Sequence, residues 1–406
     1  MNIKQLDLVN VGPFKELHLT FPSETDENGK YPVTIITGEN GTGKSIILDS
    51  LRLLFKGLWG IDRNIVADEN NFSMSMILSI DGHDKKIESS TFEKDDKQIK
   101  IGTNDFDFST SFSSAKKQPI KDYILDYWSP DLSTDNFDID GISLVKTDKP
   151  LETSFERVFK NSDVNKFICW ADYVKDSQKP DEKETGKVLY TILSDMIADC
   201  LAYGKFKYVS RTSLRPIVEV RGKEISIEKL SMGNLLILSH LVRTLYRAYG
   251  ICCLNNRPIS KIHEISGVLL IDEIENHLHP KWQKKILSII QKHFPKLQLI
   301  VTSHSPFVIS SVENPRIYVC ESLTDYSQVR DISNNYTNMP VDEVLVSDIF
   351  NVGPFNEKIT SLLSDRKNAI MSADEKKKNE IEHELIKLNQ SYFSFYRLRE
   401  QLGLNV

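Results

Sequence analysis

Residues 31–57 read YPVTIITGENGTGKSIILDSLRLLFKG, and this stretch decides the fold. An apolar, β-branched run ends in Gly38, and behind Lys44 the apolar residues recur at helical spacing up to Gly57. Between strand and helix, Gly38, Glu39, Asn40, Gly41, Thr42, Gly43, Lys44 and Ser45 match the pattern GxxxxGK followed by Ser or Thr in full. Glycines there let backbone N–H groups turn toward phosphates, and the helix beginning at Lys44 offers them its positive end. The Lys44 ammonium is the group expected to bridge the β- and γ-phosphates of ATP, and the Ser45 hydroxyl is expected to ligate Mg²⁺. A chance glycine loop has no reason to sit between a buried strand and a helix.

A second strand, Gly267 to Ile271, ends in the carboxylates Asp272 and Glu273. Asp272 at the strand tip can hold a hydrated Mg²⁺. Glu273 is placed to orient or deprotonate an attacking water. A buried strand with an acidic pair capping the next helix is the weaker reading even of the pair alone, and beside a full phosphate loop the pair reads as a Walker B element. A third apolar strand ends in Val301-Thr302-Ser303-His304-Ser305-Pro306. A lone histidine is usually structural, and Leu230-Ser231-Met232-Gly233-Asn234, which opens a long helix, could be no more than an N-cap.

Around these motifs the chain alternates strands and helices, which implies a largely parallel sheet covered on both faces. The N-terminal stretch alternates apolar and polar residues (Ile3, Leu6, Leu8, then Leu17, Leu19, Phe21), the pattern of a hairpin. Residues 61–203 are rich in Asp, Ser, Lys and Asn and read as an α+β lobe inserted into the sheet. Strands are expected there at FSMSMILSI and HDKKIESSTF, and helices at PIKDYILDY and GKVLYTILSDMIADCL. The lobe holds no sustained heptads, so it supplies no long coiled-coil arm. After Glu228 we expect a helix to Tyr249, and a further helix from about Pro280 to His293. The last residues are charged and helical, with Ile381, Leu385 and Leu388 on one face, and read as a C-terminal helical hairpin. The expected domains are therefore a head at 1–346, including the lobe, and a helical segment at 347–406.

Composition narrows the function. The chain has 406 residues and a net charge of −6, so its surface as a whole is no nucleic-acid magnet, and basic pairs such as Lys116-Lys117 or Lys284-Lys285 read as solvated helix faces. Five cysteines, Cys169, Cys200, Cys252, Cys253 and Cys320, lack metal-ligand spacing and read as reduced thiols of a cytoplasmic protein. No apolar run reaches the ~20 residues that span a bilayer, and the N-terminus has no signal-peptide pattern.

The motif order resembles that of the ABC superfamily. The strand pair ending in VGPF before the phosphate loop is similar to the entry of SMC, RecF and Rad-type repair ATPases rather than transporter subunits. The runs DEIENHLHPKWQKKIL and TSHSPFVISSV narrow the likeness to the OLD-like and RecF-like AAA ATPases of bacteria, among them the ATPase components of Septu, retron-linked and PARIS anti-phage systems. The likeness covers roughly residues 1–57 and 225–320. It implies an ABC-type P-loop head that binds ATP and Mg²⁺ and hydrolyses ATP between two facing copies. It assigns His304 to contact the γ-phosphate, and Ser231 and Gly233 to grip the γ-phosphate held by the opposite copy, within a signature weakened at Met232 and Asn234. Glu275, His277 and His279 fall in the segment that faces the partner head. A metal site from these three is a weaker reading, because their spacing in a loop is short. Gln98 and Gln118 are the available candidates for a Q-loop glutamine, without support for either.

The relatives that are OLD nucleases carry a Toprim domain after the switch histidine. The remaining residues here lack its acidic pattern, and Asp138-Ile139-Asp140 lies upstream. Any nuclease partner is therefore expected on another polypeptide. The leading expectation is a sensor or assembly ATPase whose head pairing, as a dimer or higher oligomer, regulates an effector. A RecF-like ATPase that binds duplex DNA and a slowly hydrolysing ATP-gated scaffold are the alternatives.

Overall fold

The apolar run before the phosphate loop lacks polar alternation because both of its faces are covered. The computed structural model describes residues 1–56, 59–62, 71–94, 98–105, 122–131, 135–148, 154–155, 160–201, 203–336, 339–347, 349–350, 353 and 355–396. Lys116, Lys117 and Gln118 lie outside them. In it, the run is β3 (Thr34–Gly38), buried at every position. It sits in a sheet with β8 (Ile124–Trp128), β12 (Gly267–Ile271), β13 (Leu297–Thr302), β14 (Arg316–Ser322) and β15 (Ser327–Asp331), in the order β15-β14-β3-β13-β12-β8. All neighbours are parallel except β15, so β3, β8, β12 and β13 all end at the same edge. Ligands of open α/β sheets bind in the crevice at that edge.

A second sheet is antiparallel, in the order β2-β1-β5-β6-β7-β4. It comprises β1 (Asn2–Val11), β2 (Phe14–Thr20), β4 (Trp59–Asp62), β5 (Ser73–Ile80), β6 (His83–Lys94) and β7 (Gln98–Thr103). The expected N-terminal hairpin is β1–β2, and the strands expected at 72–80 and 83–92 are β5 and β6. Gln98 falls on β7, away from the strands that end at the phosphate loop. Buried Gln298 of β13 joins the two sheets: its Oε1 accepts the Ile3 N–H at 2.7 Å and its Nε2 donates to the Ile3 carbonyl at 2.8 Å. A small antiparallel sheet, β9 (Gly204–Ser210), β10 (Arg215–Val220) and β11 (Lys223–Ser226), precedes the helix Met232–Leu254.

The inserted segment is built into both sheets rather than lying beside them. It supplies β5–β7 to the antiparallel sheet, β8 to the parallel one, and the helices Asn161–Val174 and Pro180–Asp199, the second of which is the expected GKVLYTILSDMIADCL helix. One expectation is overturned. Residues 122–127 of PIKDYILDY are not helical: Ile124 to Trp128 form β8, paired in parallel with β12 and buried throughout. A strand covered on both faces loses the period-2 signal, and Asp126 within it disguised it as an amphipathic segment.

That carboxylate is wholly buried and explains why β8 holds its place. Asp126 Oδ1 takes Arg243 Nη2 at 2.9 Å and Arg247 Nε at 3.2 Å, while Oδ2 takes the Thr244 hydroxyl at 2.7 Å. All three partners project from the helix Met232–Leu254, which runs past the expected Tyr249. Burial works to raise the Asp126 pKa, but the two guanidinium groups prevail and hold it below the usual carboxylate value. Beside them, His240 stacks on Trp128 and reaches the Ser129 carbonyl, and burial with the Arg243 charge pushes its pKa down to about 3. The expected 280–293 helix is in two pieces, Pro280–Gln283 and Ile286–His293.

The chain divides into two compact units, Met1–Val344 and Leu345–Val406. The second unit pairs helices Glu357–Met371 and Glu375–Leu388 around Ile381, Leu385, Ile386, Phe393 and Tyr396. Leu388, expected on the inner face, is exposed, and Ile386 takes its place.

Two stability outcomes follow from the buried charges. Asp126→Ala leaves two guanidiniums without their carboxylate, at a cost of about 3–5 kcal/mol. The first unit should then melt on the order of 5–10 °C lower by calorimetry; an unchanged melt would mean that the ion cluster is not holding β8. Unfolded, His240 has the ordinary value of 6.5, so as pH falls below it the unfolded chain takes a proton that the folded chain refuses until about pH 3. Stability therefore drops through that window, and His240→Gln should flatten the drop by up to about 1.4 kcal/mol per pH unit in urea titrations.

Candidate functional site

The phosphate loop is shaped from below by the first hairpin. The turn of β1–β2 carries Gly12-Pro13-Phe14, and an added Cβ on Gly43 would lie 2.6 Å from the Phe14 ring and 2.7 Å from Pro13. Gly43 also has φ +100°, a conformation that side chains rarely adopt, so only glycine fits. Thus the VGPF entry is a physical part of the loop. Within the loop, the Thr42 hydroxyl donates to the Glu39 carbonyl at 2.8 Å. Lys44 is 6% exposed, and its ammonium donates to the Gly38 carbonyl at 3.0 Å and the Glu39 carbonyl at 2.7 Å. Burial lowers its pKa while nearby acidic groups oppose the change. Asn40 and Gly41 lie in the turn of the loop, and a Cβ on Gly41 would meet nothing within 4 Å.

Ser45 and Asp272, 227 residues apart in sequence, meet with Oγ 3.1 Å from Oδ1. Asp272 is 7% exposed and is surrounded by three hydroxyls: Ser45, Thr302 at 2.6 Å, and Tyr127 of β8 at 3.3 Å from Oδ2. These are hard oxygen donors at the mouth of a phosphate loop, the set that suits Mg²⁺ completed by nucleotide phosphates. ATP with Mg²⁺ therefore fits the residues present. Glu273 follows in the left-handed region at φ +48°, half-buried beside Asp272.

The strand β13 brings His304 to the same edge. Burial and the neighbouring Lys44 ammonium hold its imidazole below its ordinary pKa, which keeps the ring neutral near pH 7. Its backbone N–H donates to Glu275 Oε1. Glu275, expected in a segment that faces a partner, turns its carboxylate to the loop of His304, and burial raises its pKa. His277 and His279 are exposed, and the His279 ring caps the Pro280–Gln283 helix by accepting from Lys281 N–H at 3.2 Å. Among the described residues no group of three or more His, Cys, Asp or Glu is placed to hold a metal ion.

Ser231 does cap the helix Met232–Leu254, accepting the Asn234 N–H at 3.4 Å. Gly233 is pressed on the acidic segment, since a Cβ there would lie 2.4 Å from the His277 carbonyl. Gly233 and His277 are therefore in close approach, and Met232, next to Gly233 in the chain, is exposed.

Four residues that hold the site or its supporting strand escaped the sequence reading. Tyr127 lay in the segment misread as helix, Thr302 lay in a quoted motif without a role, and the Arg243–Arg247 pair on a helix flank gave no sign of its buried partner. Only an acidic residue inside an apolar pentad, Asp126, offered a signal.

A protein-family model described as "AAA domain, putative AbiEii toxin, Type IV TA system" matches residues 33–310. The chain is 28% identical over 188 residues to "Retron Ec83 probable ATPase" of Escherichia coli, covering 46% of this chain and 33% of that protein, so the match spans about a third of that relative's length. It is 25% identical over 361 residues to "Septu protein PtuA" of Bacillus thuringiensis, covering 84% of this chain and 83% of that one. Of solved structures, "Crystal structure of the SmcHead bound to the C-winged helix domain of ScpA" aligns at TM-score 0.48 and 15% identity, over 82% of this chain and 98% of that one.

The contrast between two glycines is testable. Gly43→Ala, with both positive φ and the Phe14 clash, should lower affinity for a fluorescent ATP analogue by more than about tenfold. Gly41→Ala meets open space and carries only the backbone cost of about 1–2 kcal/mol. Equal effects of the two would refute the role given to the VGPF turn.

Proposed function

The chain belongs to that AAA-domain family, as an ATPase of the ABC/SMC class, and we propose that it binds Mg-ATP at the loop Gly38–Ser45 and hydrolyses it between two facing heads. The observation that carries this reading is the convergence of Ser45, Asp272, Glu273 and His304 at one sheet edge, with Ser45 Oγ and Asp272 Oδ1 3.1 Å apart. Lys44 exchanges its two carbonyl partners for the β- and γ-phosphates. Ser45 and Asp272 would hold Mg²⁺, which when bound would neutralise charge on the phosphate oxygens. Glu273 accepts the proton of the attacking water, and His304, kept neutral, donates a hydrogen bond to the γ-phosphate. Ser231 and Gly233, at the N-terminus of the Met232–Leu254 helix, serve the γ-phosphate of the opposite copy through the orphan N–H groups of that terminus.

Head pairing on this reading licenses a separate effector, a nuclease being the class we favour, in anti-phage defence. Support comes from the likeness to the Septu and retron proteins. No described helix is long and apolar enough to cross a membrane. A RecF-like role on duplex DNA is the second reading; it predicts DNA affinity that needs ATP and falls steeply with salt. A slow scaffold is disfavoured by the retained Glu273.

ATP turnover and particle size of the wild type and Glu273→Gln, with and without Mg-ATP, test the proposal. We expect wild-type turnover to fall by about 10²–10⁴-fold in Glu273→Gln. The variant should keep nucleotide and accumulate as a dimer, and Ser231→Arg should prevent that dimer without changing monomer affinity. Turnover in Glu273→Gln at the wild-type rate would remove Glu273 from its role, and an ATP-independent particle size would end the paired-head reading.

A further inference from the structure

The end of β13 and the acidic turn after β12 are fastened by four hydrogen bonds whose centre is one hydroxyl. Thr302 Oγ1 donates to Asp272 Oδ1 at 2.6 Å and accepts the Glu273 N–H at 2.8 Å. The Thr302 carbonyl takes the Ile274 N–H at 3.2 Å, and Glu275 Oε1 takes the His304 N–H. Thr302 is fully buried, so water cannot substitute for its hydroxyl. Its bond to Asp272 is shorter than those from Ser45, 3.1 Å, and Tyr127, 3.3 Å. A hydroxyl has one proton to donate, and here it goes to the carboxylate, while a lone pair takes the N–H of Glu273. That N–H belongs to a residue at φ +48°, a left-handed conformation that costs a non-glycine residue about 1 kcal/mol or more and persists only where surroundings enforce it.

We propose that Thr302 is the positioning residue of this site: its single hydroxyl sets the orientation of the Asp272 carboxylate and the left-handed turn that aims Glu273, and Glu275 ties the His304 loop to the same turn. This rests on the reading of Asp272 as a Mg²⁺ ligand for bound nucleotide. The consequence is that metal binding, base and switch histidine share one rigid unit, so loss of one hydroxyl disturbs Asp272 and Glu273 together. Valine at the position matches threonine in shape and suits a buried strand, yet offers neither bond. Serine restores the hydroxyl.

The test is a Mg²⁺ titration of the affinity for a fluorescent ATP analogue in the whole chain, comparing wild type, Thr302→Val, Thr302→Ala and Thr302→Ser below their melting temperatures. Removing a partner that orients a metal ligand costs about 10–100-fold in metal affinity. The expected result is therefore at least a tenfold rise in the Mg²⁺ concentration for half-maximal effect in both Thr302→Val and Thr302→Ala. Thr302→Ser should remain within about twofold of wild type, and Mg²⁺-free affinity should be the same in all four. A Thr302→Val curve that overlays wild type overturns the inference while leaving the nucleotide site standing. Equal shifts in Thr302→Val and Thr302→Ser overturn it too, since the hydroxyl would then not be the cause. If the wild type itself shows no Mg²⁺-dependent nucleotide binding, the ATP reading fails first and the inference with it.

Discussion

Asp126 buried between Arg243 and Arg247 is the interaction on which the arrangement of the head depends. Its ion pairs fasten the Met232–Leu254 helix to β8, and β8 pairs along its whole length with β12, the strand that delivers Asp272. Removing two cations and one anion from water is costly, and the cluster is tolerable because the carboxylate is fully engaged by Arg, Arg, Thr and its own chain's N–H. A hydrophobic trio could pack as well, but it would not dictate the register of helix on strand. The same cluster places the Met232–Leu254 helix and β12 in one block.

At the sheet edge a second constraint operates, the shared end of four parallel strands. β3 and β13 are paired through Ile36 and Thr302, and β12 and β8 through Ile271 and Trp128, so their next residues must lie side by side. Ser45, Asp272, Thr302 and Tyr127 meet for that reason. The glycine turn of β1–β2 presses on the phosphate loop from the other sheet, and Gln298 clamps that sheet to β13. The left-handed turn at Glu273 is held by the hydrogen bond of its N–H to the Thr302 hydroxyl, while Gly43 adopts its positive φ without strain.

What could be read in the chain and what could not divide along a physical line. Residues 33–56, 267–273 and 297–304 announced strand, loop and chemistry because phosphate binding needs particular residue types at contiguous positions, and short-range order is carried by local pattern. The β1–β2 hairpin was legible from its alternation, and two helices were expected at 186–201 and from after Glu228 to Tyr249, where the structure has Pro180–Asp199 and Met232–Leu254. Segment 124–128 was not, since a strand covered on both faces has no alternation and its one charge was answered 117 residues away, by Arg243. The division of the 280–293 helix escaped for a like reason: Gln283 bonds to Ser305 and to the Leu278 carbonyl, contacts from other elements.

The sequence by itself determined a P-loop head, its glycine-rich loop and its acidic strand tip, because each of these is a local device whose parts are neighbours in the chain. Only the tertiary structure decided that Glu275 turns inward, that Tyr127 and Thr302 hold Asp272, and that the inserted segment belongs to both sheets. Those outcomes depend on which strands lie side by side, and pairings across a hundred or more residues are settled by the burial of whole faces rather than by any local pattern.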